Sequence, residues 1–454
     1  MPEPWPRSSS DTLAWPGVSS PAASGTLALL YQLENSQWWP AERLRAAQLA
    51  QLHEVLRYAG AHSPHYARAF KQAGVNPEAP LTEDVWRRVP MLTRETLQSS
   101  FAGVSCRRVP PSHGEPRDSY TSGSTGQMVR VRMTALLFAM QRAIAMRDHI
   151  WHQRDLSRTF AQIRYIPDGD AEQGRTGVDG WADVDHAFVS GSSAWLDIAA
   201  SVEEQVAWLQ EVKPAYLTTF PSNLRALSRH CIDERISLPS LRQAMAFSES
   251  LTDDIKAQCH EAWGVPVIDG YSAQEVGHIA LQCPEHDGYH SAAESLLVEV
   301  LDDDGRQCGP GEVGNVVVSS LLNFATPLIR YRIGDLAEVG AACPCGRGLP
   351  ALRRILGRER DMIQLPDGSK ILPSILGMLD DVTDVKQFQI HRVAEEQLDV
   401  HLITDGPLAA DQAEALRRNI VRNFRYPFAV TLRYVERIDR LLNGKFKDIV
   451  SEID

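Results

Sequence analysis

The spacing of apolar residues changes several times along the chain, and each change predicts a different kind of element. Residues 1 to about 25 are rich in Pro, Ser and Gly and carry no apolar period, which predicts a loosely ordered leader. From Thr26 to about Gly74 apolar residues recur at helical intervals: Leu27, Leu29 and Leu30, then Leu44, Leu49, Leu52, Val55, Leu56 and Tyr58. Trp38 and Trp39 sit where this helical start would pack onto the next domain. Residues 84–90 and 93–97 predict short helices or turns, the second opened by a Thr93 cap, and residues 135–151 return to the helical pattern.

Further on, residues 158–165, 187–189, 215–220, 243–247 and 265–268 read as strands. Between them lie helical stretches at 201–212, 253–263 and 222–232, the last led by Pro221 with Ser222 as its expected cap. Strands alternating with helices predict an α/β layer fold with a largely parallel sheet. The pattern then changes: residues 296–301, 314–319 and 327–331 predict antiparallel strands, with turns at Asp302-Asp-Asp-Gly305 and Pro310-Gly-Glu-Val-Gly314. From Gly357 onward the sequence reads as a compact α+β unit of ordinary small-domain size. The expected organisation is therefore a leader (1–25), a large N-terminal domain (26–357) of layered α/β subdomains with a β-rich segment, and a small C-terminal α+β domain (358–454).

Composition narrows the function classes. The 454 residues carry a net charge of -12, which argues against non-specific binding to nucleic acid or an anionic membrane, since both need a basic surface. No stretch is long and apolar enough to span a bilayer, and the N-terminus lacks the apolar core of a signal peptide. Seven cysteines, an odd number scattered over the chain, suit reduced cytoplasmic thiols better than a disulfide framework. The expectation is a cytoplasmic enzyme acting on small molecules.

The candidate chemistry centres on Tyr120-Thr-Ser-Gly-Ser-Thr-Gly126, followed by the alternating residues 129–133. Thr121, Ser122, Gly123, Ser124, Thr125 and Gly126 combine flexible backbone with hydroxyl and N–H donors, the requirements for closing around phosphate oxygens. The run lacks the Gly-Lys-Ser/Thr ending of the common P-loop, because Gln127 and Met128 come next. Five further stretches accompany it: Thr218-Thr-Phe-Pro-Ser222, Asp269-Gly-Tyr-Ser-Ala-Gln-Glu275, Tyr331-Arg-Ile-Gly-Asp335, Gly357-Arg-Glu-Arg-Asp361 and Leu442-Asn-Gly-Lys445. The second comes directly after a strand, where ligands bind in open α/β sheets. Asp335 offers a carboxylate suited to a ribose diol. Cys283, Cys343 and Cys345 with either His286 or His290 provide the donors of a tetrahedral Cys3His zinc site, the alternative being small buried thiols.

In this order the six motifs resemble the adenylate-forming superfamily of acyl-CoA synthetases and adenylation domains, from roughly Ser119 to the C-terminus. The Phe-Pro-Ser element and the segments around Cys283 and Cys345 look most like its phenylacetate-CoA ligase branch. The resemblance implies that residues 121–126 hold the ATP β- and γ-phosphates, Tyr271 stacks on adenine with Asp269 near its amino group, and Glu275 ligates Mg2+. It further implies that Asp335, assisted by Arg358, binds the ribose, that Lys445 reaches the acyl carboxylate and α-phosphate, and that Asp361 is the hinge of a mobile C-terminal domain. In place of the family's Lys-Pro the chain has Gln127-Met128, and Gln274 replaces a threonine at the α-phosphate. The resemblance also implies zinc at the cysteine cluster, as in some relatives of this branch, with His290 the preferred fourth ligand.

Phe220, Pro221, Phe247, Ser248 and Glu249 fall at strand ends and are candidates for an acyl pocket, the two phenylalanines suiting a flat aromatic acid. The implied reaction uses ATP and Mg2+ to join a carboxylic acid to AMP and then passes the acyl group to CoA, whose phosphates Arg353, Arg354, Arg358 and Arg360 could receive. Two alternatives stay open: transfer to the phosphopantetheine thiol of a carrier protein, and a non-catalytic nucleotide-binding regulator. A homodimer is also compatible with the sequence.

Overall fold

A computed structural model describes residues 5–10, 12–13, 15–121, 128–166, 177–178, 180–182, 184–366, 368–371, 377–379, 381–383, 385–441 and 444–453. The chain forms two compact units, one of residues 1–160, 177–193 and 269–355, the other of 161–176, 194–268 and 356–454.

The first unit opens with helices Pro21–Ser36, Ala41–His62 and Pro64–Ala73. The first begins inside the stretch expected to be loose: the Ser20 side chain accepts from Ala23 N–H and Pro21 fills the first turn, a combination that starts a helix without an apolar signal. Residues ahead of it are also held, by Arg7 N–H to Ala187 C=O (2.8 Å) and Val189 N–H to Trp5 C=O (2.9 Å). The strand expected at 187–189 is only a bridge from Phe188 to Pro6, because Pro6 has no N–H with which to extend a ladder. Trp38 is 51% exposed and lies under the Arg347 guanidinium (4.9 Å).

Strands Leu296–Leu301, Val313–Ser320 and Tyr331–Val339 are neighbours in this unit, and Tyr289–Ser291 lies between Ala351–Arg358 and Gly277–Gln282. Tyr331–Val339 begins where the predicted strand at 327–331 would have ended, since Arg330 takes a left-handed φ of +47° and breaks the extension. Strand Val267–Ala273 outruns its prediction: after the expected stretch it continues through Asp269, Gly270 and Tyr271, pairing antiparallel with Gly277–Gln282. Tyr271, Ile279, Val316, Leu328 and Tyr331 belong to one large apolar core with Leu52, Leu56, Tyr66 and Trp86 from the N-terminal helices.

Among the described residues the second unit has two apolar cores. One surrounds strands Tyr216–Thr219 and Gln243–Ala246, which pair in parallel as the βα alternation predicts, with helices Val202–Val212, Pro221–Asp233 and Asp253–Trp263 contributing Val206, Leu224 and Ile255. The helix Pro221–Asp233 has Phe220 at its N-cap position; Ser222 lies within the first turn and does not cap it. The other core belongs to residues 356–454. There Ala429–Tyr434, Gln397–Ile403, Gln387–Ala394 and Ile449–Ser451 form a four-stranded mixed sheet covered by the Leu416, Ile420 and Phe424 face of helix Ala410–Phe424. The molecule is thus mixed α/β, as predicted. Among the described residues no helix is long and apolar enough to cross a membrane.

Candidate nucleotide and acyl site

Strand Arg117–Tyr120 pairs with Arg130–Met133, so the run that joins them leaves from the end of a two-stranded ribbon. Ser122 to Gly126 and Gln127 lie outside the described residues, and Thr121 is the last described residue before them. Its Oγ accepts from Val129 N–H at 2.9 Å and lies 3.4 Å from the Arg94 guanidinium. Arg94 also donates to Glu275 at 3.2 Å. Thr121, Arg94 and the almost fully buried Glu275 therefore meet at one point, with an ionic pair at its centre. Gln274, beside Glu275, is exposed.

Two further carboxylates of this unit are fixed by tyrosines. Tyr271 Oη donates to Asp335 Oδ2 at 2.5 Å, both residues being buried. Tyr289 Oη donates to Asp269 Oδ2 at 2.6 Å, while Asp269 N–H donates to Gln282 Oε1 at 2.7 Å. The ring expected to face adenine thus also orients the acid expected to face ribose.

Cys283, His290, Cys343 and Cys345 place their donor atoms within 4.8 Å of one another. Cys283 Sγ is 3.8 Å from Cys343 Sγ, and Cys345 Sγ is 3.3 Å from His290 Nε2. A tetrahedron with Zn–S of about 2.3 Å and Zn–N of about 2.0 Å has edges near these lengths. His290 Nδ1 faces Leu349 C=O at 3.5 Å, the outer hydrogen bond that leaves Nε2 toward a metal. His286 is exposed and takes no part in the cluster, which resolves the choice of histidine. Burial acts to raise the Cys345 thiol, but hydrogen bonds from Arg347 and its sulfur neighbours outweigh it and hold the group below its ordinary value. The donor set fits zinc: three sulfurs and one imidazole nitrogen converge at the separations that a four-coordinate ion requires.

The acyl-pocket candidates and the terminal lysine belong to the second unit. Phe220 is buried in the core, 4.7 Å between centroids from Phe247, while Ser248 adopts a φ of +70° that turns the chain sharply before Glu249. Pro221 is buried at the start of its helix. Lys445 lies on a turn closed by Leu441 N–H to Lys445 C=O and by Gly444 N–H to Leu441 C=O, both 2.8 Å. Gly444 has φ +80°, and a Cβ there would lie 3.0 Å from Tyr165 Cβ and 3.4 Å from Phe220 Cε2, so only glycine fits against the aromatic pair. Asp361 forms an ion pair with Lys447 at 3.5 Å, two residues past Lys445. Arg358 is half-buried in the same unit. The expected basic patch is weaker than its sequence: Arg353 (3.0 Å) and Arg354 (2.6 Å) both bind Glu338.

No protein-family model matches the chain. A phenylacetate-coenzyme A ligase of Thermus thermophilus is 26% identical over 439 residues, 89% of this chain and 94% of that protein. One of Pseudomonas putida is 24% identical over 390 residues, 81% of this chain and 80% of that protein. The chain is similar to phenylacetate-CoA ligases, and its structural neighbours are acyl-CoA ligases of the adenylate-forming superfamily. Among solved structures, a 2-hydroxyisobutyryl-CoA ligase in complex with an acyl-adenylate shares the fold, with a TM-score of 0.74, 22% identity and 91% of each chain covered.

Three contributors to the candidate site were missed in the sequence: Arg94, Gln282 and Tyr289. Arg94 opens the short helix Arg94–Ser99 behind its Thr93 cap and is indistinguishable there from any surface arginine. Tyr289 and Gln282 lie on short antiparallel strands that no period marked.

Proposed function

We propose that this protein is an AMP-forming acid–thiol ligase that activates an aromatic carboxylic acid and transfers it to CoA. The observation that carries this reading is the contact in which Arg94 joins Thr121 to Glu275, offering cationic and hydroxyl donors for phosphate, together with the Tyr271–Asp335 bond of the same unit, which would hold an acid for ribose. The substrate carboxylate attacks the α-phosphorus, the bond to the leaving pyrophosphate breaks, and a mixed anhydride forms. A CoA thiolate then attacks the acyl carbon and AMP leaves.

Two anions must approach in the first step, so electrostatic clamping dominates catalysis. Magnesium held on Glu275 would offset phosphate charge. Lys445 would neutralise the oxygen charge that builds between acid and α-phosphate. Residues 26–357 and 358–454 would act as the large and small domains, with rotation about Asp361 exchanging Lys445 for the thiol between steps. The Asp361–Lys447 pair supports that assignment, since it ties the junction to the segment just beyond the lysine. Phe220 and Phe247 favour an aromatic acid, as do relatives named for phenylacetate. Zinc on Cys283, His290, Cys343 and Cys345 would staple the β-rich segment, a closed four-ligand site with a structural role.

The relatives favour CoA over a carrier protein, each of the first four being named a CoA ligase. The test is pyrophosphate release with ATP, Mg2+ and a panel of aryl and alkyl acids. Acid-dependent release is expected, and Lys445→Ala should lower it by about a thousandfold, in the range of a lost electrostatic clamp. No release with any acid would leave only the regulatory nucleotide binder.

A further inference from the structure

The peptide groups on both sides of Lys445 are held by charged side chains of the same unit. On one side Phe446 N–H donates to Glu249 Oε1 at 2.6 Å. On the other, Arg440 donates to Gly444 C=O at 3.1 Å. Both side chains also grip the first turn of helix Pro221–Asp233: Ser222 N–H donates to Glu249 Oε2 at 3.0 Å, and Arg440 donates to Ser222 Oγ at 2.9 Å. Glu249 and Arg440 lie 3.9 Å apart and are largely shielded from solvent, so their bonds compete little with water.

Glu249 therefore does not line an acyl pocket with a free carboxylate. One oxygen is occupied by the helix start and the other by the lysine turn. The left-handed backbone of Ser248 aims it there, a strained conformation of the kind that persists where a side chain must be placed. Arg440 lies 3.9 Å from this carboxylate; the nearby Asp448 is in turn faced by Glu249, Arg440, Asp254 and Arg225, with Arg225 bound to Asp254 at 3.0 Å.

We propose that Glu249 is a positioning residue for Lys445, a latch that docks the lysine turn on the Phe220 helix start for adenylate formation and lets go of Phe446 N–H for thioester formation. The inference rests on Lys445 being the adenylating lysine and deepens that reading. The latch carries no reacting atom. Its contribution appears only in the half-reaction that needs the lysine.

The experiment measures two rates on the full chain: acid-dependent ATP–pyrophosphate exchange with phenylacetate, and CoA thioester formation from supplied phenylacetyl-adenylate. Glu249→Ala is expected to slow exchange by about 10- to 100-fold, the size of one charge-assisted hydrogen bond. It should leave thioester formation within about threefold, because that step does not use the turn. Glu249→Gln keeps an acceptor carbonyl and the packing, and should recover part of the loss; it also serves as the reporter if the alanine variant folds poorly. In a Lys445→Ala background, Glu249→Ala should add nothing to the exchange defect. Equal slowing of both half-reactions, unchanged exchange, or full additivity with Lys445→Ala would each overturn the latch. If Lys445→Ala itself leaves exchange intact, the functional reading fails first, and the two failures are thereby distinguished.

Discussion

Replacing Tyr271 by phenylalanine keeps the ring and deletes one hydroxyl whose role is defined by a single contact. It donates to Asp335 at 2.5 Å, with Tyr271 8% and Asp335 5% exposed. A buried hydrogen bond to a carboxylate contributes about 1.5–3 kcal/mol. At about 1.4 kcal/mol per decade, that is about 10- to 100-fold in an equilibrium constant. If the bond orients Asp335 for the ribose hydroxyls, Tyr271→Phe should raise the KM for ATP within that range and leave kcat within about twofold, because uniform nucleotide binding is lost and no transition-state contact is. The same reasoning predicts a smaller loss with 2′-deoxy-ATP, which has one fewer hydroxyl to orient. The assay is pyrophosphate release at varied ATP and 2′-deoxy-ATP, for Tyr271→Phe, Asp335→Asn and the double variant. Coupled residues give a double variant no worse than Asp335→Asn alone. Full additivity, or an unchanged KM for Tyr271→Phe while Asp335→Asn raises it, would refute the reasoning.

Three other outcomes are expected from the geometry. Cys345→Ser should lose zinc by elemental analysis and lower Tm, and a chelator should lower the Tm of the unaltered protein while leaving the variant where it is. Gly348→Ala should destabilise by about 1–3 kcal/mol in urea unfolding, because the new Cβ would lie 1.8 Å from the Trp39 carbonyl oxygen and backbone cannot give way cheaply; Gly25→Ala, on the exposed face of the first helix with nothing within 4 Å, should instead stabilise by about 0.5–1 kcal/mol. Burial, reinforced by Arg154, pushes His149 down to about 3, so it stays neutral when folded and protonates on unfolding below its ordinary range. Stability is then full above pH 6.5 and falls as pH drops toward 3; thermal melts of His149→Gln should show a drop between pH 6.5 and 4.5 that is smaller by about 2–3 kcal/mol.

What the sequence determined by itself is local. Periodicity placed helices such as Ala135–Trp151 and Asp253–Trp263 at their observed bounds, because an amphipathic helix is written in its own residues. The motif series singled out Thr121, Glu275, Tyr271 and Asp335 as candidates, since each type suits one part of a nucleotide. Strands marked by strong apolar runs were also legible, as with Leu296–Leu301.

Tertiary structure decided what depends on partners distant in sequence. Arg94 became part of the site only because the fold carries it to Glu275, 181 positions away. His290 rather than His286 joined the cysteines because its strand register turns it inward beside Leu349. Glu249 read as a pocket acid until its two oxygens were seen to hold Ser222 and Phe446, 27 and 197 residues from it. A residue type fixes which bonds a side chain is able to make, but burial and long-range packing select which of them it makes.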